Sequence, residues 1–233
     1  MICLFTYACE GYEVKNGQVY YKDWNEAHGT RENIISKADA QTFEILGNEA
    51  YARDKNYVFY HGQIIHGADP ESFEPLEGLF AIDKERAYYS GDSIEGASSR
   101  DFKVLESGYS ADYKDIYLQR KPLHVCSVEG FKFIEATDDK RFFTRWSTDG
   151  CHYFYLEYKV PSDDYEKIKI YPKGEGFSTD GTYIYFCGRN IMFNKEGERI
   201  LDTVDLATFE VDGIDCRDKF GCINVFHGRE FCE

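Results

Sequence analysis

The chain has 233 residues, with 42 acidic against 27 basic side chains, a formal net charge of −15 and 17% aromatic residues. That balance argues against a basic nucleic-acid-binding face and against adsorption to anionic membranes. No stretch reaches the run of about 20 apolar residues that a membrane-spanning helix needs, and Tyr, Phe and Val clusters set between Gly and Asp turns indicate an all-β class.

Residues 1–12, MICLFTYACEGY, lack the basic start and the run of about 7–15 apolar residues of a secretory signal. They read as a first strand in a cytoplasmic protein. The alternative is the trimmed remnant of a lipoprotein leader ending at Cys9, which would place the protein in the envelope. Val14-Lys15-Asn16-Gly17 then leads into Val19-Tyr20-Tyr21, a turn followed by a strand. Residues 22–37 lengthen this unit, and they place Trp24 and His28 in a loop. A loop Trp either packs over a strand edge or contacts a partner.

From Tyr51 to Leu76 the chain reads YARDKNYVFYHGQIIHGADPESFEPL, and Phe80 to Leu105 reads FAIDKERAYYSGDSIEGASSRDFKVL. Asp54, Asp83 and Asp112 follow at a constant step of 29, each before a short aromatic or β-branched run. Asp at such a position accepts hydrogen bonds from backbone N–H groups two residues on, so each is assigned to a hairpin turn. His61-Gly62 makes a second turn. Ala68 to Phe73 reads as one helical turn, capped by Asp69 with Pro70 in first position. Two later copies carry STDG and place Asp149 and Asp180 at their turns; a looser copy follows Asp218. Val204 to Phe209 echoes Ala38 to Phe43. The result is seven units, roughly 1–37, 38–67, 68–96, 97–130, 131–165, 166–204 and 205–233, in one repeat domain. A recurrence in this range signals a repeat architecture whose units bury their faces by stacking. The expected fold is all-β, tandem small antiparallel sheets in a seven-unit β-propeller-like array. An open stack of sheets and a six-bladed ring are the alternatives.

The strings DKNYVFY, GADPESFEPL and ADAQTFEIL resemble the bacterial DKNYY repeat family, closely over residues 38–105 and more loosely elsewhere. The resemblance implies a repeat β fold in a bacterial protein and no particular reaction.

Two insertions break the period. Residues 135–146, EATDDKRFFTRW, mix Asp138 and Asp139 with Phe142, Phe143 and Trp146; residues 159–175 contain Asp163 and Asp164. Insertions in repeat proteins map to loops on one face, often the binding face, and aromatic residues beside charges suit protein contacts. Trp24, Asp138, Asp139, Phe142, Phe143, Asp163 and Asp164 are therefore the candidate partner-binding residues. Phe142 and Phe143 read equally well as the start of a core strand, and Trp146 reads as core. Eight cysteines sit mostly beside strand aromatics, where a thiol behaves as a small buried hydrophobe. The expectation is mostly free thiols, with Cys216 and Cys222 able to bridge across the last hairpin.

The sequence contains no phosphate loop, no GxGxxG, no HExxH, no CxxC and no GxSxG. Cys151-His152 is adjacent, which is poor geometry for two ligands of one metal. No cofactor, no metal and no catalytic residue is expected. The leading functional expectation is a non-enzymatic protein-binding module, an acidic immunity-type inhibitor of a basic bacterial toxin or effector. The rivals are an envelope protein that binds carbohydrate or peptidoglycan, and a hydrolase with its site in a central funnel.

Overall fold

The computed structural model describes residues 10–27, 29–47, 49–134 and 145–232. Among these residues there is no α-helix, only two short 3-10 turns, Glu106–Gly108 and Tyr165–Lys167. The strands form seven small antiparallel sheets, each an open meander in chain order, and none closes into a barrel. Sheet 1 has three strands, Gly11–Lys15, Gln18–Asn25 and Gly29–Ile34. The others have four. Sheet 2 is Glu44–Ile45, Tyr51–Arg53, Val58–Tyr60 and Gln63–Ile64, and sheet 3 is Glu74–Pro75, Phe80–Ile82, Arg86–Tyr89 and Asp92–Ser98. Sheet 4 is Lys103–Val104, Tyr109–Ala111, Ile116–Leu118 and Lys121–Pro122; sheet 5 is Lys132–Ile134, Trp146–Thr148, Tyr153–Tyr155 and Tyr158–Lys159. Sheet 6 is Lys169–Ile170, Phe177–Thr179, Ile184–Phe186 and Arg189–Asn190; sheet 7 is Glu210–Asp212, Asp215–Asp218, Gly221–Asn224 and Gly228–Glu230. The chain divides into two compact units whose border runs through sheet 4, with sheets 1–3 in one and sheets 5–7 in the other.

The central hairpin of each repeat follows a packing rule written in the sequence. Two positions before the hairpin Asp stands a small buried residue, and directly across from it stands a large one. The pairs are Ala52 with Phe59, Ala81 with Tyr88, Ser147 with Phe154, Ser178 with Tyr185 and Cys216 with Ile223. One step further out, on the other face, two rings meet: Tyr51–Tyr60 at 4.9 Å, Phe80–Tyr89 at 4.9 Å, Trp146–Tyr155 at 5.2 Å and Phe177–Phe186 at 4.7 Å. Side chains alternate between faces along a strand, so one face carries the small–large pair and the other the ring pair. Fully burying one such ring contributes roughly 1.5–3 kcal/mol.

Within each unit consecutive sheets stack. The Tyr51 hydroxyl donates to the Leu79 carbonyl (2.8 Å) and accepts from the Gly91 amide (3.2 Å), tying sheet 2 to sheet 3. Tyr12 does the same one sheet earlier, with the Ala50 carbonyl (3.1 Å) and the Gly62 amide (3.0 Å). The third turn of these sheets has positive φ at both central residues, His61-Gly62 and Ser90-Gly91, as a tight type I′ turn requires. Glycine is needed there twice over. A Cβ on Gly62 would lie 2.8 Å from Tyr21, and one on Gly91 would lie 2.7 Å from Tyr60. In the second unit, Trp146, Tyr155, Val160 and Ile168 pack with Tyr185, and Phe177, Ile184 and Ile191 pack with Phe209, Cys216 and Ile223.

The cysteines depart from expectation. Four of the six described cysteines are paired, Cys126 with Cys151 and Cys222 with Cys232; Cys187 and Cys216 are free. Cys216 cannot reach Cys222, because Cys216 stands opposite Ile223 and Cys222 opposite Arg217. Neighbours along a strand point to opposite faces, so the two sulfurs lie on different sides of sheet 7. Cys216 instead fills the small-residue position of its hairpin, its thiol donating to the Ile223 carbonyl.

Candidate functional site

Each hairpin Asp is buried, between 1% and 7% exposed, and each does more than close its turn. One carboxylate oxygen takes the turn. Asp54 Oδ1 accepts from the amides of Asn56 and Tyr57, both at 2.7 Å. Asp83 Oδ1 accepts from Glu85 (2.8 Å) and Arg86 (2.7 Å), and Asp180 Oδ1 from Thr182 and Tyr183, both at 2.8 Å. The other oxygen reaches back to the connector that precedes the sheet. It accepts the amides of Asp39 (2.7 Å) at Asp54, Asp69 (3.2 Å) at Asp83 and Ser98 (2.9 Å) at Asp112. It accepts those of Cys126 (2.8 Å) at Asp149 and Asp205 (2.8 Å) at Asp218. At Asp180 the Ser162 hydroxyl takes this place at 2.8 Å.

A further donor depends on the residue five positions on. Where it is Tyr, its hydroxyl reaches the same oxygen, as Tyr88 does with Asp83 and Tyr185 with Asp180, both at 2.6 Å. Where it is Phe154, His152 Nδ1 contacts Asp149 at 2.8 Å; where it is Ile223, Arg229 grips Asp218 with two nitrogens at 2.6 and 2.8 Å. Burial alone would raise the pKa of Asp83, Asp149, Asp180 and Asp218. These hydrogen bonds outweigh it and hold all four below the usual carboxylate range.

In three copies a clasp closes over this hub. The connector Asp pairs with the Lys that follows the hairpin Asp: Asp39 with Lys55, Asp69 with Lys84 (3.2 Å) and Asp205 with Lys219 (2.6 Å). The connector's Thr or Ser hydroxyl accepts that Lys amide, Thr42 from Lys55, Ser72 from Lys84 and Thr208 from Lys219. The STDG copies have no such Lys. They lace the turn internally: Thr148 Oγ1 donates to the His152 carbonyl (2.7 Å) and accepts from Gly150 (3.2 Å), and Thr179 repeats this with Tyr183 and Gly181. In sheet 5, Cys126 and Cys151 join the connector to the turn covalently.

The hairpin aspartates thus occupy the turns assigned to them from sequence. The tie to the connector was not foreseen. Its acceptor is a side chain, but its donor, except for the Ser162 hydroxyl at Asp180, is a backbone amide, which leaves no residue-type signature. Of the candidate contact residues, Trp24 lies on the second strand of sheet 1, opposite Thr30, rather than in a loop, and is 42% exposed. Asp163 is exposed, and Asp164 pairs with Lys167 across a 3-10 turn. Asp138, Asp139, Phe142 and Phe143 lie outside the described residues. Trp146 is core, 4% exposed against Tyr155. Cys126, Asp149 and Cys151 bring ligand-type atoms within 4.8 Å of one another. With the sulfurs bonded to each other and the Asp149 oxygens engaged by four donors, the cluster as it stands is a staple and offers no free ligand set.

Seven small meander sheets, joined by connectors that dock on a hairpin Asp of the sheet they enter, define a tandem β-repeat protein. A model of the DKNYY family matches residues 2–92 and 80–215, and the chain belongs to that family. Neither the curated proteins nor the solved structures contain a match.

Proposed function

We propose that the protein is a non-enzymatic binding module, an acidic immunity-type inhibitor that neutralises a basic bacterial toxin or effector. The observation that carries this reading is the acidic excess, with several of the protein's own cations engaged internally. Lys55, Lys84 and Lys219 are held in clasps, Lys15 and Lys22 pair with Glu13 and Glu32, and Arg229 serves Asp218. Acidic side chains outnumber basic ones by 15, and the exposed ones among them can meet an external cationic surface. Opposite charge raises the encounter rate and suppresses wrong partners. The exposed Asp163 and the loop that carries it offer such contacts. The two disulfides support an extracytoplasmic meeting place, because cytosolic thiol pools keep such bonds reduced.

The test is to co-purify the protein with the products of genes adjacent to its own, washing at low and then high salt. A basic product that binds, is released by salt and loses its toxicity in the complex is the expected result. If a folded sample binds none of them, and none of the neighbouring products is toxic alone, the reading fails.

A further inference from the structure

We propose that Cys126–Cys151 is a surface thiol–disulfide exchange site, opened by a dithiol and closed by a disulfide oxidant while sheets 5–7 stay folded. Four observations carry this. First, both cysteines are exposed, so an external thiol reaches the bond; exposed disulfides are the labile ones. Second, one carboxylate holds both partners: Asp149 accepts the Cys126 amide at 2.8 Å and the Cys151 amide at 2.9 Å. Those bonds do not involve sulfur. They persist in the dithiol and keep the two thiols within reach for reclosure.

Third, the other copies show that this joint closes without a covalent bond. The residue that docks on the hairpin Asp is Asp39, Asp69 or Asp205 where a Lys clasps it, and Ser162 where a hydroxyl serves. The disulfide stands at the same joint, between the docking residue and the turn. Opening it returns sheet 5 to the condition of its neighbours. Fourth, the free thiols among the described residues do not compete. Burial pushes Cys187 up to about 11 and Cys216 up to about 12, so both stay protonated in neutral solution, and the thiolate is the reactive form.

The exchange balances. A reductant thiolate attacks one sulfur, the Cys126–Cys151 bond breaks, and the departing thiolate takes up a proton. The reductant's second thiol then displaces the other cysteine, so the reductant leaves as a disulfide and the protein gains two thiols. What is released is the connector around Cys126. It remains docked through the Cys126 amide and loses its covalent tie to the turn.

The experiment is a titration of the full chain with a dithiol–disulfide buffer, without denaturant, followed by alkylation and peptide mapping. Circular dichroism and amide hydrogen exchange are read in parallel. The expected result is joint labelling of Cys126 and Cys151 with an unchanged β-sheet signal. Exchange at residues 127–131 should rise about tenfold while the docked Cys126 amide stays protected, a local opening rather than global unfolding, and fall again on reoxidation. The Cys126→Ser/Cys151→Ser variant should fold, show the raised exchange from the start and ignore reductant. The proposal is overturned if the pair is labelled only as the sheet signal is lost, if it resists reduction altogether, or if the double variant does not fold.

Discussion

Replacing Asp180 by Asn tests whether the hairpin carboxylate is the joint's main fastening. Asn is nearly the same size, and its oxygen can still accept from Thr182 and Tyr183. Its nitrogen cannot accept from the Tyr185 hydroxyl (2.6 Å) or the Ser162 hydroxyl (2.8 Å), both of which are buried contacts. Two charge-assisted bonds are lost, each worth about 1.5–3 kcal/mol, and the hydroxyls recover part by turning to accept from the new amide. The expected net cost is about 2–4 kcal/mol at pH 7. Urea denaturation reads this as a midpoint lowered by roughly 1–2 M, at a slope of about 2 kcal/mol per M. The pH dependence separates the carboxylate from mere shape. Burial works against the charge on Asp180, and four hydrogen bonds outweigh it, so its folded pKa lies below normal. A depressed folded pKa gives stability that is present above the unfolded value of about 3.9 and is lost as pH falls through the folded one. The gap between wild type and Asp180→Asn should therefore be full at pH 7 and shrink below about pH 4. Tyr185→Phe completes a double-mutant cycle, with an expected coupling of about 1–2 kcal/mol. A cost under about 0.5 kcal/mol, or a gap that does not change with pH, would refute the hub as described.

Gly91→Ala should cost about 2–4 kcal/mol, since φ is +81° and the new Cβ meets Tyr60 at 2.7 Å. Gly17→Ala, with φ +74° and open space, should cost only about 1 kcal/mol; equal melting shifts would show that sheet stacking does not constrain Gly91. Ser178→Ala should be neutral or stabilise by about 1 kcal/mol, because its buried hydroxyl has no partner among the described residues; a clear loss in thermal stability would contradict this. Burial raises the pKa of Tyr12, Tyr51, Tyr88 and Tyr185 above the ordinary value. Their stabilisation is complete below about pH 10 and is lost as pH rises toward the folded values, so these rings should ionise together with alkaline unfolding in an ultraviolet titration; ionisation of the four rings while the fold persists would contradict this.

The hairpins were legible because their signal is local. Asp54-Lys55-Asn56 and Ser178-Thr179-Asp180-Gly181 are turn chemistries that carry their own explanation, and the sheets follow from the short runs around them. The small–large rule was present in Ala52, Ala81, Ser147, Ser178 and Cys216 but hidden, since only register shows which residue each one faces. That register also decides the cysteines: the spacing of Cys216 and Cys222 suits a hairpin bridge, and strand alternation puts them on opposite faces. Trp24 was misplaced for a related reason. Sheet 1 extends its hairpin where the other copies turn, and Lys22, Asp23 and Trp24 pair with Glu32, Arg31 and Thr30 where charge suggested a loop.

The way each joint is fastened accounts for where the period breaks. In the clasped copies the docking residue precedes its Asp by 15, 14 and 13 positions, Asp39 to Asp54, Asp69 to Asp83 and Asp205 to Asp218. There the Lys must reach the connector Asp while its own amide meets the connector's Thr or Ser, so two fixed contacts hold the connector against the turn. In the STDG copies the turn is laced by its own Thr, and the separations grow to 18 from Ser162 to Asp180 and 23 from Cys126 to Asp149. A turn that supports itself makes one hydrogen-bond demand on its connector, a single donor to the second carboxylate oxygen, to which sheet 5 adds the Cys126–Cys151 bond. Closing a longer loop costs little extra entropy, since each doubling of length adds only about 0.6 kcal/mol. Chain can then be inserted without disturbing the hub. Asp163 and Asp164 lie inside one of these two lengthened segments, and the acidic–aromatic stretch 135–146 lies inside the other. The same substitution, Thr and Gly for the Lys clasp, thus lets both segments lengthen without disturbing the hub.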